Sequence, residues 1–402
     1  MTDAILTLNA GSSSLKFALF ELSNGDLRLA SRGQIEGIGS QPHMIAKGAD
    51  GEVLAEHVWP DASDLAHETF LTPLYAFVDR RSGSRLRAIG HRVVHGGGAF
   101  HQPVLINDNV LGQLEALCPL APLHQPHNLA AIRAAQASRP GVPQVACFDT
   151  AFHHGHADVV SRFALPREWH EKGVRRYGFH GLSYEYIARD LRRLDPALAS
   201  GRVIVAHLGN GASLCAIRDG HSIDTTMGFT ALDGLVMGTR CGALDPGVVL
   251  YLQQEAGLTA QAVQALLYER SGLLGVSGLS SDMRALIASD DPAAANAIDL
   301  FTFRVAREAG ALMTSLGGLD GIVFTAGIGA NVARVRADVA RHLAWTGLKL
   351  DPKVNEDGAG LLSTPDSAVR AWVIPTDEEA MIARHTADLM FPDGRTHTEP
   401  TI

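Results

Sequence analysis

The sequence predicts an α/β protein built from two related domains, on three observations. Short β-branched runs alternate with longer Ala-, Leu- and Arg-rich stretches, the pattern of strands feeding helices. The length, 402 residues, suits two domains of ~100–200 residues each. ILTLNAGSSSLKFALF at residues 5–20 also lies over VIVAHLGNGASLCAIR at residues 203–218 in an ungapped match at one fixed offset. Gly11 falls on Gly209, Ala18 on Ala216 and Asn9 on His207. Spacing alone leaves a second reading open, two unrelated tight hairpins.

Taken in order, the strands are expected at AILTL, LKFALF, AIGHRVV, RVIVAHL, SLCAI and GIVFTAG. Helices are expected at 109–117, 128–137, 183–190, 259–268, 292–316 and 332–343. The fifth follows Asp290 and Asp291 as capping residues. The tail from 393 to 402 is polar and reads as frayed.

Composition excludes several classes. A hydrophobic fraction of 46% against 19% charged residues describes a well-buried globular chain. The net charge of -9 argues against nucleic acid, whose phosphates need Lys and Arg in excess, so any anion site is local. The opening MTDAILTLNAG has no basic flank and predicts no secretory leader. No window approaches the ~18 apolar residues of a membrane span. Cys118, Cys147, Cys215 and Cys241 are far apart without a C-x-x-C pair, as in a reducing compartment. Together these predict a cytosolic, soluble protein.

The chemistry-bearing motifs come next. Turns of Gly and Ser leave backbone N–H groups free to point at an anion. The chain has no G-x-x-x-x-G-K-[ST], no strand-to-helix G-x-G-x-x-G and no H-R-D with D-F-G. A phosphate site must therefore use strand–turn–strand loops. Arg92 in GHRVVHGG and Arg240 in MGTRCG sit in apolar, Gly-rich contexts. Each reads either as a grip on a carboxylate or phosphoryl group or as a structural ion pair. The HHGH run of His153, His154 and His156 reads as a solvated segment, because no distant ligand set completes it. His91 and His95 have helical metal spacing, but in a strand their rings would stand ~13 Å apart, which excludes zinc. Asp149 ends the apolar run VPQVACF, where active-site groups gather. Glu378 in PTDEEA reads equally as a plain acidic first helical turn.

LTLNAGSSSLKF, GHRVVHGGG, APLHQPHN, CFDTAFH, RRYGFHGLS, AHLGNGASL, GTRCG, SGLLGVSGLSSDMR, FTAGIGAN and IPTDEEAMIA occur in this order, from near the N-terminus to beyond residue 380. Together they resemble the acetate kinase (acetokinase) family of the actin-like ATPase superfamily. The resemblance implies two RNase-H-like domains with a nucleotide cleft between them. Residues 1–150, completed by a C-terminal helix at about 380–392, would form one, and 151–379 the other, with the nucleotide loops. The implied reaction is reversible phosphoryl transfer from ATP to acetate with Mg²⁺, or Mn²⁺ in its place. An acceptor carboxylate is already ionised at neutral pH, so such a site needs positive charge and positioning rather than a general base.

By the same resemblance Arg92, Arg240, His180, His124 and Asp149 are catalytic. Asn9, Asp149 and Glu378 hold the metal. Asn9, Ser12, Ser14, Lys16, His207, Gly209, Asn210 and Gly211 face the phosphates, and Gly327, Gly329 and Asn331 the adenosine. Arg92, Val94, Leu123, Phe179 and Ala231 line the acyl pocket. A homodimer is also implied. Three positions depart from the family pattern: Ala231 where Pro is common, Ala243 where Asp is usual, and Ala330 where Glu is usual. A smaller residue at 231 widens the pocket and keeps a propionate or other short-chain acyl kinase open. Two other classes make different demands. A sugar or polyol kinase would need a general-base Asp aimed at a hydroxyl, and an actin-like or chaperone-like ATP-binding module would need a large exposed partner surface or a substrate-binding domain, for which the chain has no room.

Overall fold

The computed structural model describes residues 3–11, 14–23, 26–38, 40–59, 67–81, 85–358 and 360–392. Ser12 and the polar tail at 393–402 lie outside the described residues. The chain forms two compact units, Met1–Ala151 with Asp377–Ile402, and Phe152–Thr376.

The first unit holds β1 (Asp3–Ala10), β2 (Ser14–Ser23), β3 (Asp26–Glu36), β4 (His43–Gly48), β5 (Val53–Val58), β6 (Arg85–Val93), β7 (Val104–Leu105) and β8 (Gln144–Phe148). They form one sheet in the order β5-β4-β3-β2-β1-β6-β8-β7. The β1, β6 and β8 strands run parallel, and β1 to β5 form an antiparallel meander. Alternation decides what each face does. Ala4, Leu6, Leu8 and Ala10 of β1 enter a core shared with Leu15, Phe17 and Leu19 of β2 and with the helices His67–Arg81 and Gln125–Ser138. Ile5, Thr7 and Asn9 occupy the opposite face. There Ile5, Ala18 and Phe20 pack against Ala383 and Ala387 of the C-terminal helix Glu378–Met390.

The second unit holds β9 (Arg202–Leu208), β10 (Ala212–Arg218), β11 (His221–Thr225), β12 (Gly321–Thr325), β13 (Gly360–Leu361) and β14 (Arg370–Val373), in the order β11-β10-β9-β12-β14-β13. Its β11-β10-β9-β12-β14 run repeats β3-β2-β1-β6-β8 in order and direction. Val203 and Val205 of β9, with Cys215 and Ile217 of β10, pack beneath Tyr184, Ile187, Ala188 and Leu191 of the helix Gly181–Leu194.

The repeat is present, but its ungapped match holds only up to the turn. Asn9 pairs with Lys16, whereas His207 pairs with Ser213. The first turn is therefore one residue longer. Ala18 pairs with Thr7 and so corresponds to Cys215, the partner of Val205, rather than to Ala216. A matching string cannot detect a change in loop length when the residues on both sides are apolar.

The expected helices occur as Asp108–Ala116, Gln125–Ser138, Gly181–Leu194, Ala260–Glu269, Pro292–Leu316 and Ala333–His342. Thr259 and Asp291 cap the fourth and fifth by accepting Ala262 N–H and Ala293 N–H. FTAGIGAN is not an open loop after β12: it turns at once into the helix Ala326–Asn331, and Ala326 sits in the left-handed region at φ 63.

Candidate active site

In the first unit the polar side chains gather at the C-terminal ends of β1, β6 and β8. Asn9 is the last inward residue of its β1 row. Lys16 stands opposite it on β2, and Ser14 opens that strand while its carbonyl accepts Gly11 N–H at 2.7 Å. Arg92 lies one residue before the end of β6 and faces away from Val93, which belongs to the apolar core on the other side. Asp149 directly follows β8.

Gly90, two residues before Arg92, brings Glu378 to this group. A Cβ at Gly90 would lie 2.3 Å from Thr386 Oγ1 and 2.6 Å from Ile382 Cγ2, so the helix rests directly on the strand backbone. Two strand residues advance ~6.6 Å and four helical residues ~6 Å. The helix residue four before Ile382 therefore arrives above the strand residue two after Gly90. That residue is Glu378, and its neighbour is Arg92.

The resulting cluster is tightly bonded. Arg92 grips Asp149 with two donors, Nε to Oδ1 at 2.9 Å and Nη2 to Oδ2 at 2.5 Å. Its Nη1 donates to Asn9 Oδ1 at 3.2 Å, and Nε lies 3.7 Å from Glu378 Oε2. Asn9 Nδ2 donates to Glu378 Oε2 at 3.2 Å. Asp149 is buried, with its side chain 1% exposed, and Arg92 nearly so at 16%. Burial works against the Arg92 charge, but Asp149, Glu378 and Glu379 more than offset it, so the guanidinium is held above its ordinary range. Burial beside Glu378 raises the Glu379 carboxyl, and Lys16 partly opposes that shift.

His124 caps the helix Gln125–Ser138, and the buried Val94 follows β6. Leu123 precedes that cap and is half-buried. Two helix residues absent from the sequence expectations hold this region. Asn128 Oδ1 accepts Val94 N–H at 2.9 Å and its Nδ2 donates to the Ala10 carbonyl at 2.6 Å, tying the ends of β1 and β6 together. Gln125 accepts His95 N–H and donates to the His95 carbonyl. His91 bonds Gln144 at 2.7 Å, and His95 Nδ1 accepts Gly97 N–H at 2.8 Å.

The second unit has a corresponding group. His207 ends the β9 row of Val203 and Val205, beneath the start of the helix Gly181–Leu194. His180 caps that helix in the left-handed region at φ 60. The two imidazoles stack with centroids 4.2 Å apart. Ser183 Oγ bonds His207 Nδ1 at 2.8 Å, and Ser213 Oγ bonds His180 Nδ1 at 2.8 Å. Gly211, in the β9–β10 turn, is where an imidazole and a guanidinium converge. A Cβ there would lie 3.5 Å from His180 Nε2 and 3.8 Å from Arg240 Nη1. Arg240 Nη1 donates to the Ala231 carbonyl at 3.1 Å. Asn210 accepts Gly238 N–H through its carbonyl at 3.0 Å, which locks the turn to the GTRCG segment.

Gly209 and Asn210 share a cavity of ≈ 630 Å³ with Gly327, Ile328, Asn331 and the Ser281–Arg284 segment. The turn expected to face phosphates and the segment expected to face adenosine thus line one space. Gly327 is exposed, with no atom within 4 Å of a would-be Cβ. At Gly329 a would-be Cβ lies 3.3 Å from the Ala206 carbonyl, so this glycine also seats the short helix on the sheet. Arg336, 1% exposed, holds that helix by donating to the Gly329 and Ala330 carbonyls at 3.0 and 2.9 Å.

The HHGH segment is solvated only in part: His154 and Gly155 are exposed, but His153 is buried and His156 half-buried. His153 is 2% exposed, bonds Ser222 Oγ through Nδ1 at 2.8 Å, and donates from Nε2 to the Phe179 carbonyl at 2.9 Å. His156 Nε2 bonds the same Ser222 at 2.7 Å. His153 thereby fixes the peptide that precedes His180. Phe179 itself is buried and Ala231 half-buried.

The model of the acetokinase family matches residues 4–384. The chain belongs to this family. Acetate kinase of Rhodopseudomonas palustris is 54% identical over 391 residues, which cover 96% of this chain and 98% of that protein. Among solved structures, a propionate kinase from Francisella tularensis has a TM-score of 0.89 at 38% identity, covering 96% of this chain and 99% of that one. Acetate kinase of Porphyromonas gingivalis has a TM-score of 0.85 at 37% identity, covering 96% and 100%. The two mixed sheets are those of the actin-like ATPase class. Within the acetokinase motifs, Gln125 and Asn128 stand in APLHQPHN and Ser213 in AHLGNGASL. Buried polar side chains inside otherwise apolar helices and strands are the signal that would have picked them out.

Proposed function

We propose that the chain is an acetate kinase, transferring the γ-phosphoryl group of ATP to acetate to give acetyl phosphate and ADP. The observation that carries this reading is the 54% identity, across 96% of the chain, to a protein named acetate kinase. In the reaction an acetate oxygen attacks the γ-phosphorus as the bond from phosphorus to the bridging oxygen breaks. Both partners are already ionised, so no proton has to move. What the protein must supply is cationic and hydrogen-bonding groups that hold two anions in line.

We assign Arg92 to the acceptor carboxylate and Arg240 with His180 to the transferring phosphoryl oxygens. We assign His124 as a further donor. The nucleotide belongs to the cavity of Gly209, Asn210, Gly327 and Asn331, with Gly211, His207, Ser14 and Lys16 serving the phosphates. Val94, Leu123, Phe179 and Ala231 are assigned to the acyl end. Asn9, Glu378 and Asp149 present hard oxygen donors close together, a set that suits Mg²⁺ or Mn²⁺ held mostly by water and nucleotide. Bound there, the ion would neutralise negative charge on the nucleotide's phosphates.

Propionate is the second reading, favoured by the propionate kinase among the structural relatives and by Ala231, smaller than the common Pro. We further propose a homodimer, because the helix Pro246–Gln254 buries none of its residues and leaves Val248, Leu250 and Tyr251 exposed. Light scattering on the purified protein tests this. A cytoplasmic site of action fits the four cysteines, none of which is in a disulfide among the described residues, and ATP as co-substrate. Among the described residues no helix is long and apolar enough to cross a membrane.

Hydroxylamine trapping of acyl phosphate with MgATP and acetate, propionate or butyrate, beside Arg92→Ala, is the test. Most hydroxamate from acetate, abolished in the variant, is the expected result. Most from propionate would establish the second reading, and none from any acid would overturn both.

A further inference from the structure

We propose that Ser213 and Tyr184 are positioning residues that hold His180 in its Nε2–H tautomer, aiming that donor into the space above Gly211 beside Arg240. The inference rests on the assignment of His180 as a donor to the phosphoryl group.

Counting protons fixes the direction of the chain of bonds. Tyr184 Oη bonds Ser213 Oγ, which in turn bonds His180 Nδ1 at 2.8 Å. Tyr184 is fully buried, and burial pushes its phenol well above the ordinary range, so it keeps its proton. A buried O–H without an acceptor costs ~1–3 kcal/mol, and Ser213 is the acceptor within reach. Ser213 is itself fully buried and has one proton to give. With one lone pair taken by Tyr184, it donates that proton to His180 Nδ1. A neutral imidazole that accepts at Nδ1 carries its hydrogen on Nε2.

The opposite direction, from His180 Nδ1 through Ser213 to Tyr184, would strand the phenolic proton in the core. The surroundings leave the ring little other freedom. His207 stacks on its face at 4.2 Å, held in turn by Ser183. The peptide before it is pinned by His153, whose ring lies 2.6 Å from the Cβ that Gly178 lacks. Backbone and ring plane are thus fixed by neighbours, and the tautomer is set by Ser213. The consequence is a neutral donor that needs no protonation to face a phosphoryl oxygen. Strain at His180, a non-Gly residue at φ 60, is of the kind kept where orientation matters.

The test uses ¹⁵N-histidine-labelled full-length protein, with Ser213→Ala, Ser213→Thr and Tyr184→Phe, and His180→Ala to assign the resonance. Long-range ¹H–¹⁵N spectra report the tautomer, and steady-state kinetics separate kcat from KM. The expected result is an Nε2–H pattern in the wild type, lost as a single form in Ser213→Ala and restored in Ser213→Thr. With it, kcat should fall about tenfold in Ser213→Ala, as for one misoriented hydrogen bond, while KM for acetate holds. Tyr184→Phe, which removes one oxygen from an otherwise intact ring, should move the spectrum in the same direction. An Nδ1–H wild type, or a Ser213→Ala spectrum identical to it, would overturn the proposal. A fully active His180→Ala would instead overturn the catalytic assignment, and the tautomer result would be read separately.

Discussion

Replacing Gly90 by Ala tests how Glu378 reaches Arg92. The added methyl would lie 2.3 Å from Thr386 Oγ1 and 2.6 Å from Ile382 Cγ2. Non-bonded heavy atoms settle at ~3.5–4.0 Å, so the C-terminal helix must rise by about 1 Å or tilt to clear it. Two effects on stability oppose each other. Overpacking costs ~1–3 kcal/mol, and the stiffer unfolded chain returns ~0.4–1 kcal/mol. The net expectation is a loss of about 1–2 kcal/mol, a few degrees in the unfolding midpoint of a unit this size.

Activity should suffer more. The Asn9–Glu378 bond, already 3.2 Å, would open past hydrogen-bonding range if the helix end rose with the rest. A ~1 Å misplacement costs on the order of 10²-fold in rate. Hydroxamate formation from acetate and a thermal melt on the same preparation measure both. Adding Thr386→Ala and Ile382→Ala, which clear the space, should return part of the rate even as stability falls further. A Gly90→Ala enzyme with wild-type rate and midpoint would refute the idea that this contact sets the place of Glu378.

Three further outcomes are expected. Asn128→Ala leaves Val94 N–H and the Ala10 carbonyl without their partner. At ~1–3 kcal/mol for each of the two stranded groups it should destabilise the protein by about 2–6 kcal/mol, which urea titration will read. Burial lowers His91, His95 and His156 to about 4 and His153 to about 3. Above pH ~6.5 neither state binds these protons; below it the unfolded chain takes them up and the folded one does not. Stability should fall with pH from ~6.5 towards ~4, by up to ~1.4 kcal/mol per pH unit for each histidine. A urea midpoint unchanged between pH 7 and 5 would count against that burial. Ala231→Pro should favour acetate over propionate by ~10–200-fold if residue 231 sizes the acyl pocket, and an unchanged ratio of kcat/KM values would remove it from that role.

What was legible in the sequence was local. The helix Pro292–Leu316 announced its start through Asp291, and in the structure Gly317 in the left-handed region closes it. The central strands β1, β2, β6, β9, β10 and β12 read clearly because they are apolar on both faces. The meander strands β3 to β5 did not, since DLRLASRGQIE and VLAEHV mix charge with apolar residues as edge strands do. His153 escapes a reading by pattern for a related reason. HHGH is polar in sequence, and only a partner 69 residues away in Ser222 makes it a core element. The role of Asn128 depends on Ala10, 118 residues earlier, and no spacing rule reaches that far.

The duplication also explains why the two units hold different chemistry on the same frame. In each, a strand row ends in a polar residue, Asn9 on β1 and His207 on β9, beneath the start of a helix. The helix over β9 follows β8 in the chain, and the helix over β1 follows β14, so each frame is completed by the segment leaving the other unit's last parallel strand. Over β1 the helix begins Asp-Glu-Glu, and the acids collect the Arg92 guanidinium and an oxygen-rich donor set. Over β9 it begins at His180, and the partners are hydroxyls and a second imidazole. A few residues at the helix start and the strand end of each half thus separate a site for a cation and a carboxylate from a site built of neutral and cationic donors. The sheet did not have to change to make both.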